Sequence, residues 1–132
     1  MTIGSPRRTP LGVIRDPWKQ ALATLSDAPG IQGALLVTRD GLCVINECPK
    51  ISRPGTMSAL AAAVMAAGET MVGELGGRSP VILRLEAEGV SLIAVAAATD
   101  LMLVAVAEPN ADLKQTFAHV RKAIEHSKEN GG

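Results

Sequence analysis

TMSALAAAVMAAGETMVGEL, residues Thr56 to Leu75, has the composition of a helix, rich in Ala, Met and Leu. Turn formers bracket it, Pro54-Gly55 before and Gly76-Gly77 after. At about 100° per residue, Met57, Leu60, Val64, Met71 and Leu75 fall on one side. That spacing predicts an apolar stripe buried against the rest of the domain. The opposite side carries Ala59, Ala62, Ala63, Ala66, Thr70 and Gly73, where an ordinary surface helix places Lys, Glu and Arg. Glu69 and Glu74 are the charges of this stretch, both towards its flanks. Ala is also the best helix former, and scattered surface Ala needs no explanation. An apolar strip several turns long does need one, and it predicts that this helix is an interface.

Working outward, Pro49, Ser52, Pro54 and Gly55 form the loop that leads into the helix. Ahead of them, Ile31 to Val37 reads as an apolar strand and Leu42 to Glu47 as a shorter, more polar one. Thr38-Arg39-Asp40-Gly41 between them supplies the Asp-Gly signal of a tight hairpin. Asp16-Pro17 resembles an N-cap with Pro at the first helical position, and Trp18, Ala21, Leu22 and Leu25 share a face up to the stop at Pro29-Gly30. Residues 1–15, with two Pro, two Gly and three Arg, read as a flexible arm in which Val13 and Ile14 offer local docking.

Beyond the central helix, Val81, Leu83 and Leu85 alternate with Ile82, Arg84 and Glu86, giving a strand with one apolar and one mixed face. Val90 to Ala97 and Leu101 to Ala107 are apolar on both faces, as interior strands of a covered sheet are. Pro109-Asn110 opens a last helix with Leu113, Phe117, Val120 and Ile124 as its inner stripe, and residues 129–132 read as a frayed tail. Short links favour antiparallel hairpins. The expected architecture is therefore a three-layer α+β domain over residues 16–128, a five-stranded antiparallel sheet with helices on both faces.

The chain has 132 residues, and its thirteen basic and thirteen acidic residues cancel. No global field draws it to nucleic acid or to anionic lipid. One Trp, one Phe and no Tyr make the core aliphatic and argue against base stacking. No apolar run reads as a membrane span and the N-terminus lacks the apolar centre of a signal peptide, so membrane insertion is not expected and a cytoplasmic location is. Cys43 and Cys48 are expected as free structural thiols pointing to opposite faces of a strand, and His119 and His126 as solvated side chains on the last helix. Their separation supports no metal site.

The motif GALLVTRDGL at 33–42 and the closing hairpin that ends in AEPNADL at 107–113 resemble the roadblock/dynein-light-chain family. The resemblance covers Asp16 to about Lys128. It implies a sheet order of 2-1-5-4-3, the central helix on one face and the terminal helices on the other. It also implies a homodimer in which third strands pair edge to edge, through Ile82, Arg84 and Glu86, and the central helices lie side by side through Ala59, Ala62, Ala63, Ala66, Thr70 and Gly73. Members of the bacterial MglB-like branch act on small Ras-like GTPases, so the resemblance implies such a partner. Lys50, Arg53, Glu69, Glu74 and Arg78 are the candidate handles at the rim. Many members carry larger or charged side chains where this helix is nearly all Ala.

No Gly-rich loop ends in Gly-Lys-Ser/Thr, and no nucleophile, base and oxyanion donor assemble. Gly73 to Ser79 reads as a helix C-cap rather than an anion nest. The expectation is a non-enzymatic homodimeric module, without cofactor, that binds and regulates a GTPase, with Arg53 and Arg78 the only arginines near the platform. The alternatives are a small-molecule sensor, which requires a pocket of roughly 300 Å³ between helix and sheet, and a purely structural scaffold subunit.

Overall fold

The computed structural model describes residues 11–131, with side chains described for 17–112 and 114–128. The elements are α1 (Leu11–Ser26), β1 (Ile31–Thr38), β2 (Cys43–Asn46), α2 (Pro54–Glu74), β3 (Ile82–Ala87), β4 (Val90–Ala98), β5 (Leu101–Ala107) and α3 (Leu113–Gly131). The five strands form one antiparallel sheet in the order β2-β1-β5-β4-β3. This is the expected three-layer α+β fold and the expected strand order.

β5 is buried along its whole length because it is the middle strand of a sheet covered on both faces. Period-two alternation sends its side chains to two different cores. Leu101, Leu103 and Ala105 meet Ala34 and Leu36 of β1, Ile93 and Val95 of β4, and the inner sides of α1 and α3. Met102 and Val104 meet Leu35 and Val37 beneath α2. The β1–β2 ladder skips a residue, pairing Leu36 with Ile45 but Val37 with Cys43. The bulge lets Val44 and Ile45, neighbours in sequence, both enter the α1/α3 core. A Cβ at Gly33 would sit 2.5 Å from the Cα of Cys48, so only glycine allows the chain after β2 to fold back onto β1.

Several expectations need correction. α1 begins at Leu11, ahead of the Asp16-Pro17 signal, with Pro17 inside the helix, where it offers no N–H to the carbonyl four residues back. Residues 11–15 are thus helical rather than part of an arm, and residues 1–10 lie outside the described residues. The docking expected of Val13 and Ile14 also falls on side chains outside the described set. α3 is capped by Asp112 rather than opened at Pro109-Asn110: its Oδ1 accepts the backbone N–H of Lys114 at 3.0 Å and of Gln115 at 3.4 Å. The same helix runs to Gly131, through most of the expected tail. Cys43 and Cys48 are both free; Cys48 lies beyond the end of β2 and is buried.

Candidate interaction surface

α2 seats on the sheet through Ser58, Ala61, Met65, Gly68 and Val72, spaced by three, four, three and four residues along one face. Ser58 and Met65 are its two fully buried residues. This differs from the stripe expected from sequence. Of Met57, Leu60, Val64, Met71 and Leu75, only Met57 is half-buried against the core. Leu60 is 57% exposed, Met71 66% and Leu75 88% in the single chain. The helix is turned by about a quarter relative to the expectation. Its small inner residues bring it close to the sheet, and both stripes seen in the sequence become outer shoulders.

Contacts at either side fix which shoulder faces which strand. A Cβ at Gly68 would lie 3.8 Å from Cδ1 of Leu83 in β3, so the shoulder of Leu60, Val64, Met71 and Leu75 leans towards β3. On the other side, a Cβ at Gly41 of the β1–β2 turn would lie 3.2 Å from the Cα of Ala59. Arg39, next to that turn, holds an ion pair with Glu69. The shoulder of Ala59, Ala63, Ala66 and Thr70 therefore rises on the hairpin side, all four residues exposed, with the Thr70 hydroxyl donating to the Ala66 carbonyl at 3.0 Å. Ala62, expected among them, is half-buried.

α2 packs mainly over β1 and β2, and towards the β3 edge the same sheet face is only partly covered, with Leu83 and Leu92 half-buried. Leu85 of β3 is 45% exposed and Val90 of β4 44%. Together with the Leu60–Leu75 shoulder they leave a set of large apolar side chains exposed on the β3 side of α2. β3 pairs with β4 alone, leaving its second edge unpaired among the described residues. On the opposite face of β3 stand Ile82, half exposed, and Arg84 and Glu86, ion-paired at 3.0 Å. None of Leu60, Val64, Met71, Leu75, Leu85 or Val90 stood among the residues expected at an interface. The one signal for them in the sequence was the absence of charge from both sides of the helix.

The expected rim residues are dispersed. Lys50, Arg53, Glu74 and Arg78 are exposed, whereas Glu69 is engaged by Arg39. The C-terminus of α2 closes as a cap, with Gly76 at φ +80°, its N–H donating to the Gly73 carbonyl at 3.1 Å and Gly77 N–H to the Val72 carbonyl at 2.9 Å. The glycines there serve the turn, as expected. α2 spans 21 residues, and an 18-residue stretch of it has a mean hydropathy of 1.2, so by length and composition alone one run does reach the measure of a membrane span, though only weakly. Its inner face is nonetheless occupied by the sheet.

Two further expectations shift. His119 and His126 are half-buried rather than solvated, and they line a cavity of about 320 Å³ between α1 and α3. The pocket required of a sensor was expected between helix and sheet. Among the described residues no group of three or more His, Cys, Asp or Glu is placed to hold a metal ion.

The sequence pattern of the Roadblock/LC7 domain matches residues 19–107, more than half of the chain. No curated protein sequence matches it. Among solved structures, the gliding protein MglB of Thermus thermophilus superposes with a TM-score of 0.76 at 23% identity, over 88% of this chain and 91% of the other. A Roadblock/LC7 domain from Streptomyces avermitilis gives 0.75 at 19% identity, over 83% and 93%. Schizosaccharomyces pombe profilin gives 0.63 at 16% identity, over 87% and 99%. At these identities the likeness is one of fold.

Proposed function

The chain belongs to the Roadblock/LC7 domain family, and from that premise we propose that it is a homodimeric interaction module whose paired α2 helices receive and regulate a small Ras-like GTPase. The observation that carries the reading is the exposed apolar shoulder of α2 beside the β3 edge. A second α2, related by a two-fold axis beside β3, would cover Leu60, Val64, Met71, Leu75 and Leu85. The unpaired β3 edge would gain a partner in the same step.

The strand sequence supports a specific register. In an antiparallel pairing centred on Leu85, Arg84 stands opposite Glu86 of the partner subunit, and the two-fold repeats the contact. Ile82, Arg84 and Glu86 keep the interface role expected of them. The Ala59, Ala63, Ala66 and Thr70 shoulder, pointing away from the seam, becomes the platform for the GTPase rather than the seam itself. Gly73 and half-buried Ala62 flank it. Lys50, Arg53, Glu74 and Arg78 are the charges available to a partner, and Arg39 holds Glu69 back from that role.

Sedimentation equilibrium tests the dimer. Arg84→Glu alone should weaken association, and the double exchange Arg84→Glu with Glu86→Arg should restore it, because the swap recreates complementary pairs. Failure of the swap to restore association removes this register, and a monomeric wild-type chain removes the dimer. Ala66→Arg should leave the dimer intact and abolish GTPase binding. Nucleotide turnover by the GTPase, with wild-type protein and with Arg53→Ala/Arg78→Ala, separates two modes: an unchanged rate means that regulation works by ordering the GTPase's own residues.

A further inference from the structure

The groove between α1 and α3 lies on the opposite face of the sheet from α2 and takes no part in the dimer proposed above. Its cavity of about 320 Å³ exists because small residues face each other there: Ala21 on α1 and Ala123 on α3, with Leu25 completing an apolar floor. The size falls at the lower end of the range for small-molecule sites. Along the α3 side, His119, Lys122 and His126 follow spacings of three and four residues and so share one face of the helix. Glu125 lines the same groove.

The charges are arranged unusually. Lys122 and Glu125, three residues apart on one helix, both line the groove, and neither is in an ion pair among the described residues. Closing a pair at this spacing gains only about 0.2–0.5 kcal/mol, so a ligand's charges can compete for both groups. Here an ammonium and a carboxylate are both presented at the mouth of an apolar cleft. The His119 ring adds a buried Nε2 without a hydrogen-bond partner, and a turn of the ring about its broad terminal torsion brings a nitrogen towards an incoming acceptor.

We propose that this groove binds a small zwitterion with an aliphatic body, of the class of the aliphatic amino acids. Its carboxylate is held by Lys122 with help from His119, its ammonium by Glu125, and its side chain lies on Ala21, Leu25 and Ala123. A phosphate fits the groove less well, since Glu125 repels it and, among the described residues, no helix N-terminus or arginine lines the cavity. A purely apolar molecule leaves both charges without a partner.

The test is a titration of the full chain with L-leucine, followed by backbone amide NMR to about 10 mM ligand. Saturable shifts confined to residues 21–28 and 119–126 are expected. The two truncated analogues, 4-methylpentanoate without the amine and 3-methylbutylamine without the carboxylate, should each bind at least about tenfold more weakly. Lys122→Met and Glu125→Gln should each reproduce that loss with the rest of the spectrum unchanged. Thr24→Phe, at an exposed position on the groove wall, should block it. Absence of saturable shifts, shifts outside the groove, or equal binding of either analogue overturns the proposal. These outcomes are read in the absence of any GTPase and do not depend on the dimer.

Discussion

The two faces of the sheet are built from the same kinds of residues and end in opposite conditions. Towards α1 and α3, seventeen buried hydrophobic residues among those described form one cluster, with Trp18, Leu22 and Val120 filling the space between the helices and the strands. Towards α2, the cluster has seven members among the described residues, and the helix that covers it meets the sheet largely through small side chains. Two helices cover most of one face, while one helix leaves the β3 side of the other only partly covered. The difference teaches where each property resides. Stability is concentrated on the two-helix face, and the partly covered face keeps apolar surface in reserve for another molecule.

The contrast can be broken by substitution. Leu22→Ala, at a fully buried site on the two-helix face, should lower unfolding free energy by about 2–5 kcal/mol in urea titration. Met65→Ala removes an equally buried side chain from the inner side of the single helix, where the surroundings can close up more readily; about 2 kcal/mol is expected. An effect matching that of Leu22 would erase the distinction between the faces. Gly76→Ala, which forces a side chain into φ +80°, should cost about 1 kcal/mol through the cap of α2. Met71→Ala should change the stability of the isolated chain by no more than about 0.5 kcal/mol, since it is exposed there. The same change should raise the dimer dissociation constant, and that separation of effects is what sharpens the comparison.

The two faces were not equally legible in the sequence. α3 carries Lys114, Gln115, Arg121, Lys122 and Glu125, all exposed, so its inner side was marked by exclusion, and Val120 is buried with Phe117 and Ile124 against the core. β5 was read to its bounds because an uninterrupted apolar strand between two turns has only one place in a sheet. α2 offered no such marker. Its residues are small or apolar nearly all the way round, so the larger side chains were assigned to the core by size alone. Packing favoured the closest approach instead, through Ser58, Ala61 and Gly68, and pushed Leu60 and Met71 outward. The groove between α1 and α3 was illegible for a related reason: it arises from Ala21 and Ala123 meeting across helices about a hundred residues apart in sequence.

β5, the strand at the centre of the sheet, is the last of its five strands to be synthesised. β1 cannot find its principal neighbour until some seventy residues later, when Leu101–Ala107 arrives to pair with Ile31–Thr38. Until then the nascent chain holds two separate hairpins, β1–β2 and β3–β4, with nothing between them. Closure of the sheet must therefore await synthesis of β5, and fragments stopped short of residue 101 should remain open, sticky and dependent on chaperones.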